Sequence, residues 1–175
     1  VSILIAIVIG LFIGILISEY KKTSKFTLSV ISFLYTIPSI SMLGFLIPFT
    51  GVGNTTAIIE LTIYALLPMV RNTYTGLTNV DENILEAAKG MGSTDFQILY
   101  KIKLPLSMPM ILSGIRSMAT MTIALAGIAS FIGAGGLGVA IYRGITTNNA
   151  NMTMIGSILI ALLALFVDFI LGCLE

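Results

Sequence analysis

Histidine and tryptophan are absent from this 175-residue sequence, and Cys173 is its only cysteine. Those absences exclude zinc sites of the Cys/His kind, Ser-His-Asp and Cys-His catalysis, and an intrachain disulfide. Charge is scarce as well. Only 10% of the residues are Asp, Glu, Lys or Arg, whereas a soluble domain uses about 25% to solvate its surface. A net charge of +1 offers neither a basic field for nucleic acid nor an acidic tail. No Gly-x-x-x-x-Gly-Lys run is present to cradle phosphates, so nucleotide hydrolysis is not expected of this chain. Nothing repeats at a period of about 20–50 residues, and no low-complexity tract occurs.

What remains is apolar: 57% of the residues are hydrophobic, and the mean hydropathy is +1.05. Lipid must therefore cover much of what water would otherwise touch. A helix needs about 20 mostly apolar residues to cross about 30 Å of hydrocarbon. Five segments qualify: residues 1–18, 26–50, 56–70, 105–128 and 152–174. The expected fold class is thus all-α, a polytopic membrane helical bundle, with residues 1–175 forming a single transmembrane domain. Val1 already lies inside an apolar run, without the charged start or cleavage site of a signal peptide. That predicts a natural chain beginning upstream, with room for a further span. Basic residues set the orientation. Lys21, Lys22 and Lys25 follow the first segment, and Arg71, Lys89, Lys101 and Lys103 separate the third from the fourth. Alternating spans put both loops on one side, expected to be the cytoplasm, and leave only Arg143 on the other.

The spans carry further cues. Gly10 and Gly14 form a small-x-x-x-small pair that lets another helix approach closely. Pro38 interrupts the second segment, where it either bends the helix or is simply tolerated. Charged residues inside spans are costly, and Glu60, Arg116 and Asp168 are such residues. Glu60 is expected near the outer end of the third span, within reach of water. Arg116, about three turns into the fourth, has two readings. One is a structural bond to Asp168 or to backbone carbonyls; the other is a place at a dimer interface or along a passage.

Residues 71–104 form the polar stretch. Asp81 can cap a short helix through Glu82, Ile84, Leu85, Ala87 and Ala88, which Gly90 and Gly92 can end. Thr94 and Gln97 have capping-box spacing for a second helix through Phe96, Ile98, Leu99 and Ile102. Pro105 is expected to stop that helix at the next span. Its apolar positions recur every three to four residues, as on a helix with one face to bury. Periodicity alone fits docking onto the chain's own spans or onto headgroups.

The spacing Glu86-Ala87-Ala88, Gly92, Ile102, Leu104-Pro105 resembles the EAA loop of ATP-binding-cassette (ABC) importer permeases. The resemblance implies a type I ABC-importer permease fold, in which the first short helix is a coupling helix seated in a groove of a cytoplasmic ATPase subunit. It implies that Glu86, Ala87, Ala88 and Gly92 make the ATPase contact, and that Ile102, Leu104 and Pro105 anchor the segment to the fourth span. ATP and Mg²⁺ would sit on that partner, leaving this chain without a cofactor. A second permease chain, an extracytoplasmic substrate-binding protein or domain, and the bilayer of a bacterial plasma (inner) membrane complete the implied set of partners.

Gly133-x-Gly135-x-x-Gly138 matches the dinucleotide-binding fingerprint literally, but that fingerprint needs a strand before it and a helix after it in a parallel sheet. Here it follows a span, and Gly133, Gly135, Gly136 and Gly138 read better as tight turns near an outer gate. Residues 36–39, 44–48, 130–138 and 143–145 together resemble the osmoprotectant branch of these permeases, which imports glycine betaine, choline, carnitine and related quaternary amines. Ergothioneine- and methionine-type permeases are similar alternatives. Quaternary ammonium groups are usually held in aromatic cages, and Tyr35, Phe45, Tyr64 and Tyr142 could line a passage or simply pack. Pro38, Tyr64, Arg116 and the four glycines are the candidate gate and passage residues. An ion-coupled secondary transporter would explain the intramembrane charges but not the complete EAA pattern. A membrane-embedded enzyme lacks a candidate site.

Overall fold

Gly10 and Gly14 decide how the first helix packs. In the computed structural model, which describes residues 1–173 apart from the side chains of residues 21 and 22, α1 (Ser2–Glu19) lays these glycines on α4 (Asn54–Thr78). A Cβ added at Gly10 would lie 2.8 Å from Met69 Cβ, and one at Gly14 would lie 2.6 Å from Thr73 Cβ. Lipid tails are as apolar as leucine, so helices in a bilayer associate through close packing of this kind rather than through the hydrophobic effect.

α4 is the axis of the bundle. It is flanked by α1 and by α7 (Leu104–Ala126), and α2 (Lys21–Thr36) and α3 (Ser39–Thr50) touch it as well. Ala6, Ala65, Met69, Ile111 and Met118 fill the α1–α4–α7 junction. α5 (Glu82–Gly90) and α6 (Asp95–Ile98) lie between α4 and α7 in the chain, and α8 (Gly138–Thr146) and α9 (Ala150–Gly172) follow α7. The end of the fifth predicted segment, at residue 174, lies outside the described residues.

Several segments differ from the sequence reading. Three helical stretches, Ser2–Glu19, Asp95–Ala126 and Ala150–Gly172, combine the length and apolar character needed to span a membrane. The second segment is not one straight span: Thr23–Thr36 and Ser39–Thr50 meet at 96°, a broken pair that counts as a fourth crossing only if taken together. Pro38 sits at that break, ahead of α3, while Pro48 lies inside α3 without breaking it. The third segment runs past Val70 to Thr78, so Arg71 is helical rather than part of a loop. α4 is long enough to cross, and its polar residues are tolerated because its neighbours, not lipid, surround it. Glu60 shows the same effect: it is buried at 1% exposure instead of reaching water.

The glycine-rich connection also holds more structure than its composition suggests. A 3₁₀ turn, Ile128–Ile132, is followed by α8, which packs on α9. Gly138 and Gly144 allow approach rather than break the helix, since a Cβ at either would run into the backbone of Gly127 or Thr153.

Candidate functional site: the coupling segment and the gate

Asp81 caps α5 by accepting the Asn83 N–H at 2.9 Å. Thr94 and Gln97 close the reciprocal capping box that starts α6. Between them Gly92 adopts φ +84°, the left-handed region that costs a side-chain-bearing residue about 1 kcal/mol or more. Nothing lies within 4 Å of a Cβ built there. The constraint within this chain is therefore conformational, not steric. Of the remaining EAA positions, Glu86 and Ala87 lie on the exposed part of α5 and Ala88 is buried. Met91, Gly92, Gln97, Lys101 and Ile102 border an open cleft beside the turn.

The second short helix does not stop at Pro105. Leu99–Lys103 widens into a π-turn, in which the Leu104 N–H reaches back to the Leu99 carbonyl, and the chain continues directly into α7. Proline lacks an N–H and its ring collides with the carbonyl four residues back, and the wide turn ahead of it gives the chain local room to accommodate both. Pro105 thus falls in the first turn of α7, where its missing donor costs little. The result is one rod of 32 residues, Asp95–Ala126. At about 1.5 Å per residue it exceeds about 30 Å of hydrocarbon by about 18 Å, a little over three turns of rise. Lys103 Nζ, on the same rod, meets Glu19 Oε1 of α1 at 2.7 Å, an inter-helix tie that no local sequence pattern announces.

The candidate gate residues fall into two separate places. At the end of the bundle opposite α5, Leu43, Ala57, Ala129, Ile132 and Ala134 form a second small core. Above it Gly133 and Gly136 take positive φ in the turn, and the Gly135 N–H donates to Asn54 Oδ1 at 3.3 Å. Pro38 and Tyr64 come together beneath this turn, because the Tyr64 hydroxyl donates to the Ile37 carbonyl at the break. The Tyr64 ring packs on Tyr35 with centroids 5.7 Å apart. Arg116 is elsewhere. It forms a two-pronged pair with Asp168 of α9, Nε to Oδ1 at 2.6 Å and Nη2 to Oδ2 at 2.7 Å. The Arg116–Asp168 bond of the first reading is present.

The family described as "Binding-protein-dependent transport system inner membrane component" matches residues 6–175. The chain belongs to that family. Among the permeases it is similar to, the carnitine transport permease protein OpuCB of Listeria monocytogenes is 43% identical over 99% of this chain and 80% of the relative. The glycine betaine/carnitine/choline transport system permease protein OpuCD of Bacillus subtilis is 40% identical over 99% of this chain and 76% of the relative. In solved structures, a chain of the MetNI methionine ABC transporter in an inward-facing conformation superposes with a TM-score of 0.89. It is 25% identical, and the match covers 99% of this chain and 87% of that one. The permease therefore has the type I ABC-importer fold, and its Gly133-x-Gly135-x-x-Gly138 run lies in no β-sheet: no strand occurs among the described residues.

Proposed function

We propose that this permease is the membrane-spanning subunit of an ATP-driven importer for quaternary-ammonium osmoprotectants of the glycine betaine, choline and carnitine kind. It does no covalent chemistry. One observation carries the mechanism: α5 is joined through Gly92 and a capped turn to a helical rod that runs without a stop into the bundle. Such a rod transmits displacement of its end to the spans. In this reading Glu86, Ala87, Ala88 and Gly92 seat α5 in a groove of the cytoplasmic ATPase, which binds ATP and Mg²⁺. Ile102, Leu104 and Pro105 fix the rod's phase relative to α7. Closure of two ATPase subunits draws the coupling segments of two permease chains together, and the paired bundles rock between inward- and outward-open states. An extracytoplasmic binding protein or domain delivers the solute, and the coupling segment faces the cytoplasm of a bacterial cell. The substrate class rests on the named solutes of the relatives above.

Energy-dependent uptake of labelled glycine betaine, choline, carnitine and ergothioneine tests the reading, in cells lacking the permease and in complemented cells. The expected result is loss of uptake of at least one quaternary amine, restored by the intact gene and not by Gly92→Trp, although that variant reaches the membrane. Wild-type uptake from well-expressed Gly92→Trp would refute the coupling role. No loss for any of the four, once redundant transporters are removed, would refute the substrate class.

A further inference from the structure

Glu60 is the least explained residue of the bundle. Its side chain is buried, with 1% of the residue exposed, and it makes no hydrogen bond or ion pair among the described residues. The neighbours one helical turn away on α4 are committed elsewhere. Tyr64 gives its hydroxyl proton to the Ile37 carbonyl, and Thr56 gives its own to the Gly51 carbonyl at 2.5 Å. The guanidinium of Arg116 holds Asp168, not Glu60. A carboxyl group desolvated inside a membrane protein without a partner is expensive, and such groups persist where function requires them.

The surroundings specify what could pair with it. Tyr64 and Tyr35 form a tilted ring pair, with an interplanar angle of 51°, and the Tyr35 hydroxyl donates to Met121 Sδ of α7 at 3.1 Å. A carboxylate one helical turn from the Tyr64 ring, which itself packs on Tyr35, suits a large, weakly hydrated organic cation, attracted both to the charge and to the ring faces. A small hard metal ion would demand several oxygens. The cluster draws on α2, α4 and α7 and lies next to the 96° break at Ile37–Pro38, beneath the glycine-rich turn. The Tyr64 and Tyr35 rings pack directly on one another, so a displacement between α4 and α2 is what would open room between them.

We propose that Glu60, Tyr64 and Tyr35 form a cation subsite in the permease itself, which holds the quaternary ammonium group of the solute as it passes. The subsite rests on the quaternary-ammonium reading above and adds a sign to it. A single carboxylate favours a net cation such as choline over a zwitterion such as glycine betaine, whose own carboxylate it repels.

The test is competitive uptake of choline and glycine betaine by the complete transporter in proteoliposomes, with the same binding protein throughout so that its selectivity cancels between variants. Glu60→Gln should lower the choline-to-betaine uptake ratio about tenfold, the scale of one lost charge contact in a low-dielectric site. Tyr64→Leu should lower it in the same direction. Tyr64→Phe, which keeps the ring, should hold it within about twofold. An unchanged ratio in Glu60→Gln and Tyr64→Leu would overturn the subsite and leave the substrate class intact. So would loss of both solutes in equal proportion, which marks a structural role. A wild-type transporter that moves none of choline, glycine betaine and carnitine would overturn the substrate class, and the subsite with it.

Discussion

Thr73 separates packing from polarity at a single residue. Its Cβ and Cγ2 receive Gly14 of α1, while its Oγ1 is buried without a hydrogen-bond partner. A buried hydroxyl without a partner costs about 1–3 kcal/mol, whereas an apolar group of the same shape costs nothing comparable. Thr73→Val should therefore raise the thermal unfolding midpoint in detergent, by the equivalent of about 1 kcal/mol. A lowered midpoint would mean that the hydroxyl finds a partner. Gly14→Leu, by contrast, should lower the midpoint sharply, because its Cβ alone would sit 2.6 Å from Thr73 Cβ. The glycine half of this contact is legible in the sequence, since small residues four apart in an apolar run advertise close approach. The Arg116–Asp168 pair is legible too, because two opposite charges in two spans have few other partners. Glu60 is not. Its distance from the end of its helix suggests water, and only the packing of the neighbouring helices around α4 removes it.

Among the elements, the caps were the most readable feature, and the joints between elements the least. Asp81 and the Thr94–Gln97 box start α5 and α6 where local chemistry says they should. α8 is hidden from a sequence reading because its glycines resemble breakers until α9 is seen packed against them. Pro105 misleads in a similar way: a proline normally ends a helix, but the π-turn Leu99–Lys103 lets this one continue. The turn has a mechanical consequence. It inserts one residue into the helical register, which changes the angular position of α5 about the α7 axis by about 100°. Pro105→Ala supplies the missing N–H and removes the ring, so the turn can relax to a regular helix and rotate the coupling segment out of phase. The expected outcome is a several-fold fall in solute transported per ATP hydrolysed, with the assembled complex still hydrolysing ATP. An unchanged ratio would show that the phase of the rod does not depend on Pro105.

At the scale of the whole molecule, α9 packs on α7 and α8, and two of its contacts stand out as anchors. Of its described residues only Gly156 is buried, against Ile141 of α8, whose Cγ1 would lie 2.9 Å from an added Cβ. The other anchor is Asp168, gripped by Arg116 with both side chains about a third exposed (37% and 35%). Between them α9 presents Ile158, Leu162 and Phe166 outward, a surface suited to lipid. A rigid helix fastened at two points either docks or does not, so the anchors should not contribute independently. Arg116→Ala strands Asp168 without its counter-charge, and Gly156→Leu forces α8 and α9 apart. If α9 undocks as a unit, the double variant should be less destabilised than the sum of the singles by about 1 kcal/mol or more, read from thermal unfolding in detergent. The charge-swapped pair Arg116→Asp with Asp168→Arg should recover much of what Arg116→Ala loses, because the attraction survives the exchange even if the two-pronged geometry does not. Additive single effects would instead mean that α9 is fastened piecewise, each end free to yield without the other. In that case displacement of α7 could not carry the whole of α9 with it, and the bundle would not rock as one body.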